Sequence, residues 1–162
     1  MKLAIIDLGT NSVRFDLYEV VVKEQLVKTA RLHRAKEMVR LGDQVFIDRR
    51  ITSEAIERTI SAFERFRNVT QKHGTDQVIA FGTCALRDAK NRKDLLDQLE
   101  DRTGFKVEVI SGDQEAELIA LGVLENENLP DDPFMLVDIG GGSTELTLCH
   151  GKEIVNSESL NL

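Results

Sequence analysis

The feature that most restricts what this chain can fold into is an internal echo. Leu3-Ala4-Ile5-Ile6-Asp7-Leu8-Gly9-Thr10-Asn11-Ser12 is matched far downstream by Met135-Leu136-Val137-Asp138-Ile139-Gly140-Gly141-Gly142-Ser143-Thr144. Each copy reads as an apolar strand followed by Asp, one aliphatic residue, glycine, and small glycine or hydroxyl residues that lead into another strand. A duplicated fold would set two such turns opposite each other across a cleft. Glycine lets backbone N–H groups approach an anion closely, and successive amides form a concave nest for its oxygens. The hydroxyls of Thr10, Ser12, Ser143 and Thr144 add donors. Asp7 and Asp138 at the strand ends suit a divalent cation, held largely through water. Phosphate binding is the chemistry this pattern favours.

Between the two copies lies room for one complete α/β unit. Apolar alternation predicts strands over residues 3–6, Val13 to Val22 and Gln25 to Leu32. Gly9-Thr10-Asn11 turns the first pair, through residues that tolerate positive φ. Residues 33–51 are mixed and basic and receive no assignment. Thr52 to His73 is the strongest helix, with Ile56, Ile60, Phe63, Phe66 and Val69 on one stripe and Gly74 to stop it. A strand at Gln77 to Phe81, a turn or short helix over 82–90, a helix from Asn91 to Thr103 and a strand from Lys106 to Ile110 follow. Ser111 with Gln114 three residues on fits a capping box, opening a helix to about Leu124. Residues 125–133 are polar and hold both prolines, and strands return at Phe134 to Asp138, Glu145 to Cys149 and Glu153 to Asn156. The expected layout is an α/β domain over 1–126, a linker over 127–133, and the leading strands of a second domain over 134–162. Three strands with no helix to cover them make that second unit look unfinished.

Composition removes several classes of function. The chain has 162 residues and a formal net charge of −7, which argues against holding nucleic acid by bulk attraction. No apolar run approaches the roughly 20 residues of a membrane helix, and Asp7 arrives too early for a secretory signal. Cys84 and Cys149 make no disulfide framework, so a cytoplasmic location is expected. His33, His73 and His150 are scattered, which removes a zinc site.

Four collinear segments carry a family resemblance. They are Asp7-Leu8-Gly9-Thr10-Asn11-Ser12-Val13-Arg14, Gly82-Thr83-Cys84-Ala85-Leu86-Arg87-Asp88-Ala89-Lys90-Asn91, Ile110-Ser111-Gly112-Asp113-Gln114-Glu115-Ala116-Glu117-Leu118-Ile119 and Val137-Asp138-Ile139-Gly140-Gly141-Gly142-Ser143-Thr144-Glu145-Leu146. Together they resemble the Ppx/GppA family of exopolyphosphatases and guanosine pentaphosphate phosphohydrolases, within the actin-like ATPase superfamily. The resemblance implies a ribonuclease H-like, actin-type α/β fold, with a mixed five-stranded sheet, flanking helices and the start of a second similar domain.

It further implies removal of the terminal phosphate of polyphosphate, or of the 5′ γ-phosphate of guanosine pentaphosphate, with Mg²⁺ or Mn²⁺. Glu115 matches the family's catalytic base. Arg87 and Arg14 match phosphate-binding arginines, and Gly9, Thr10, Asn11 and Ser12 match the first phosphate loop. Gly140, Gly141, Gly142, Ser143 and Thr144 match the second loop, and Asp7, Asp138 and Glu145 its metal network. Two positions depart from the family pattern: Gln114 stands where an acid often precedes the base, and Glu117 where an arginine commonly follows it. Family members continue beyond a segment like Ser159-Leu160-Asn161-Leu162, and a cytoplasmic homodimer is expected of the full-length protein. An ATP-binding kinase or ATPase half, and a polyphosphate- or alarmone-binding module without turnover, are the competing readings.

Overall fold

In the computed structural model, which describes residues 1–24 and 26–161, the chain forms two compact units, Met1–Val109 and Ile110–Leu162. The expected start of the third strand at Gln25, and Leu162, lie outside the described residues.

The first unit is built on β1 (Lys2–Leu8), β2 (Ser12–Lys23), β3 (Leu26–Met38), β4 (Gln77–Gly82) and β5 (Val107–Val109). Their order in the sheet is β3-β2-β1-β4-β5. The first three strands are antiparallel, and β4 and β5 run parallel to β1. The expected mixed five-stranded sheet of an α/β domain is thus present. Alternation decides which face is buried: Ala4, Ile6 and Leu8 on β1, and Val13, Phe15 and Leu17 on β2, are all within 1% of full burial.

Helix α2 (Ser53–His73) covers that face. The Thr52 hydroxyl accepts from the Ala55 amide at 3.2 Å, and Gly74 ends the helix in the left-handed region at φ 59°. Its Phe66 ring stacks on Phe15 with centroids 4.8 Å apart, and Phe63 sits 6.0 Å from Phe66. Helix α4 (Arg92–Thr103) packs beside α2 and buries Leu95 and Leu99.

Residues 33–51 resolve into the remainder of β3 and a short helix, α1 (Gly42–Asp48). Neither announces itself in sequence. β3 is an edge strand that stays mostly exposed, so selection for burial does not impose a clean alternation. In α1 only Gly42 and Val45 are buried, too few to make a stripe. The turn expected over 82–90 contains α3 (Cys84–Asp88).

The second unit holds α5 (Gly112–Asn126) and an antiparallel sheet of β6 (Pro133–Ile139), β7 (Ser143–His150) and β8 (Glu153–Asn161), in that order. Here the structure differs from the sequence expectation. α5 packs on β7 and β8, so the three strands do have a helix. The compact division falls at 109/110 rather than after 126, and residues 127–132 join two elements of one unit. The buried positions of α5, Ala116, Ala120 and Leu124, recur every four residues. That periodicity identifies a helix without naming the surface it packs on.

Phe66→Ala removes the ring that joins α2 to β2. It should cost about 3–5 kcal/mol, the scale of a large-to-small change in a closed core. Chemical denaturation followed by far-UV circular dichroism measures this, and a loss below about 1 kcal/mol would show that the Phe15–Phe66 stack is not the anchor of the unit.

Candidate functional site

The echo seen in the sequence is repeated atom by atom. In the first bend the Gly9 N–H donates to the Ser12 carbonyl at 3.1 Å; in the second the Gly140 N–H donates to the Ser143 carbonyl at 2.9 Å. The flanking pairs also correspond, Leu8 with Val13 and Asp7 with Arg14, Ile139 with Thr144 and Asp138 with Glu145. A Cβ on Gly9 would stand 3.3 Å from the Ser12 oxygen, and one on Gly140 3.1 Å from the Ser143 oxygen. The closure itself therefore asks for glycine at both positions.

For Gly9 and Asn11 the sequence suggests a different reason, tolerance of positive φ, and the structure contradicts it. No residue of either bend has positive φ; the left-handed residue near the first bend is Arg40, at φ 50°. The physical cause is a clamp. Amides of Val39 and Arg40 donate to the Asn11 carbonyl at 3.0 and 2.9 Å, and the Gly42 amide donates to the Thr10 carbonyl at 3.0 Å. With the tip carbonyls held this way, the segment after β3 takes the unusual backbone instead. Among the described residues, no hydrogen bond occupies the N–H groups of Thr10, Asn11, Gly141 or Gly142. Paired free amides of this kind are the donors an anion nest requires.

Around the first bend the sheet assembles three further expected residues. Asp7 is half-buried on β1, and Arg14 stands opposite it, exposed. The Thr83 amide donates to the Leu8 carbonyl at 3.2 Å, which brings the start of α3 to the same end of the sheet as the bend. Arg87 lies in the last turn of α3, half-buried, with its carbonyl accepting from Arg92 at 3.0 Å. This is the carboxyl end of the parallel strands β1 and β4, where open α/β sheets place ligands.

The second unit carries the rest. Ser111 and Gln114 complete the capping box: the Gln114 amide donates to the Ser111 hydroxyl at 3.1 Å, and the Ser111 amide to the Gln114 side chain at 2.9 Å. Gln114, one of the two departures from the family pattern, thus keeps the cap without adding charge. Glu115 follows in the first turn, half-buried, where the helix dipole favours a carboxylate. Glu117 is exposed.

Ser143 and Glu145 are each 3% exposed, and the Ser159 hydroxyl donates to a Glu145 carboxylate oxygen at 2.9 Å. Asp138, exposed, faces Glu145 in register, so two carboxylates share one face beside the glycine bend. Among the described residues no three His, Cys, Asp or Glu side chains gather into a ready-made metal cage. Two hard oxygen donors are nevertheless of the kind Mg²⁺ takes, since that ion retains much of its water.

Some of the remaining sequence features serve structure. Cys84 and Cys149 are buried thiols, and burial pushes the Cys149 thiol up in pKa, away from reactivity. A depression between α1, α2 and α4, lined by Gln44, Asp48, Asn91 and Gln98, includes none of the expected site residues. No helix among the described residues is long and apolar enough to cross a membrane.

The five-stranded α/β unit with its glycine-closed bend is followed along the chain by a second copy of that bend. The model of the Ppx/GppA phosphatase family matches residues 20–162, and the chain belongs to that family. It is 34% identical to Exopolyphosphatase 2 of Mycobacterium tuberculosis over 99% of this chain and 52% of that protein. It is 35% identical to the bifunctional 3-dehydroquinate synthase/phosphatase of Fusobacterium nucleatum over 98% of this chain and 24% of that protein. The crystal structure of an exopolyphosphatase from Cytophaga hutchinsonii superposes with a TM-score of 0.93 at 32% identity, covering all of this chain and 51% of that one. The chain thus spans about half or less of the length of these relatives.

Ser111→Ala removes the hydroxyl that receives the Gln114 amide and should cost about 1 kcal/mol. Hydrogen exchange of the Gln114 and Glu115 amides reports it directly. Unchanged protection there would show that the cap does not hold the turn carrying Glu115.

Proposed function

We propose that the whole protein is a phosphohydrolase that removes a terminal phosphate, from inorganic polyphosphate or from the 5′ end of guanosine pentaphosphate. The observation that carries this is the pair of bends with one hydrogen-bond closure and paired free amides, each two residues after an Asp. Membership of the Ppx/GppA family, and likeness to proteins described as exopolyphosphatases, support it.

In this reading the amides of Thr10 and Asn11, and of Gly141 and Gly142, bind phosphate oxygens, helped by the hydroxyls of Ser12, Ser143 and Thr144. Arg87 and Arg14 neutralise phosphate charge, Arg87 by a fork that matches two oxygens. Glu115 is the general base. It accepts a proton from water as the water oxygen bonds to the terminal phosphorus and the bridging P–O bond breaks, giving inorganic phosphate and a chain shorter by one phosphate. Glu115 suits this role because it stands in the first turn of a helix, where the N-terminal dipole attracts negative charge. Asp138 and Glu145 would hold Mg²⁺ or Mn²⁺ beside the second bend, and Asp7 is the corresponding carboxylate at the first. Held there, such an ion would supply positive charge to offset that of the phosphate.

Phosphate release by the full-length protein with polyphosphate and guanosine pentaphosphate in parallel tests the reading and chooses the substrate. Glu115→Gln should lower turnover by about 10²-fold or more. Undiminished release would remove Glu115 from the chemistry. Chelation should abolish release, and Mg²⁺ or Mn²⁺ should restore it; activity that persists in excess chelator sinks the assignment of Asp138 and Glu145.

A further inference from the structure

The outer face of β2 and β3 carries a charge arrangement that the fold does not need. Arg14 on β2 stands in register with Lys36 on β3, so two cations project side by side from one face. Like charges directly opposite each other on neighbouring strands are destabilising. Both residues are exposed, and among the described residues neither takes part in an ion pair.

Two of the nearby carboxylates hold other partners. Asp16, diagonal to Lys36 on the same face, accepts from two nitrogens of Arg34 at 2.7 and 3.2 Å and lies 3.9 Å from Arg31. Glu37 is on the opposite face and binds Arg65 at 2.8 Å. Asp7 flanks Arg14 on the side away from Lys36, at the base of the first bend. β3 then leads from Lys36 directly into Val39 and Arg40, whose amides grip the Asn11 carbonyl. Lys36 is thus two strand spacings, about 10 Å, from the strand that carries Asp7.

We infer that Arg14 and Lys36 form a subsite for a second phosphate group, next to the one held by the first bend. An anion lodged there turns a repulsive pair into two charge-assisted contacts, a fork from Arg14 and a point charge from Lys36. The inference rests on the phosphohydrolase reading and narrows its substrate to a run of linked phosphates longer than the group being removed. Lys36 is a specificity residue in this account. It binds substrate and takes no part in proton transfer.

The test is thermal stabilisation of the full-length protein by tripolyphosphate and, separately, by orthophosphate, in wild type, Lys36→Gln, Lys36→Arg and the remote control Lys72→Gln. Lys36→Gln should melt at the same temperature as wild type or higher without ligand, because a repulsion has been removed. Its tripolyphosphate affinity should fall about tenfold, the scale of deleting one charge-assisted hydrogen bond, while orthophosphate affinity stays close to wild type. Lys36→Arg should restore tripolyphosphate binding, and Lys72→Gln should not alter it. Equal tripolyphosphate affinity in Lys36→Gln and wild type overturns the subsite while leaving the phosphohydrolase reading intact. A lower ligand-free melting temperature in Lys36→Gln also overturns it, by making the lysine structural. A wild-type protein that binds neither anion overturns both readings together.

Discussion

A single backbone hydrogen bond, from a glycine amide to a serine carbonyl three residues on, sets the geometry of both glycine bends of this chain. It closes the β1–β2 and β6–β7 hairpins with the same pairing on either side. The acceptor oxygen sits so near the glycine that a Cβ would crowd it, at 3.3 Å in one bend and 3.1 Å in the other. Closing the hairpin there leaves two tip amides unoccupied and fixes an Asp two residues upstream on the strand. Free tip amides and a nearby carboxylate thus follow from one piece of backbone geometry.

The surroundings of the first bend extend the same logic to charge. The chain as a whole is acidic, at −7, yet net charge describes solubility better than it describes a site. On the outer face of β2 and β3, Asp16 is taken up by Arg34, while Arg14 and Lys36 keep their charges facing solvent. On the inner face Glu37 answers Arg65 on α2. The two faces of one hairpin therefore do different things. One locks the sheet to its helix, and the other presents cations beside the bend.

Much of this was legible from residues alone. Thr52 and Gly74 mark the ends of α2, and the Ser111–Gln114 box marks the start of α5, because caps are local chemistry written in three or four residues. Strands β1 and β2 show through their alternation because one face is fully buried. Residues 33–51 were opaque for the converse reason: an exposed edge strand and a helix with two buried positions leave little pattern to read. The left-handed backbone was expected at Gly9 or Asn11 and belongs to Arg40. Hydrogen bonds from residues 39–42, distant in sequence, hold the bend.

By itself the sequence determined where strands turn, where helices are capped, and that two glycine bends each follow an Asp. These depend on short-range sterics and hydrogen bonding, which travel with the residues. Only the tertiary structure decided that α5 packs on the second sheet, that Thr83 ties α3 to the end of β1, and that Arg14 and Lys36 stand side by side. Those relations depend on strand register and on which apolar face meets which partner, and periodicity carries the existence of such a face without the address of its neighbour.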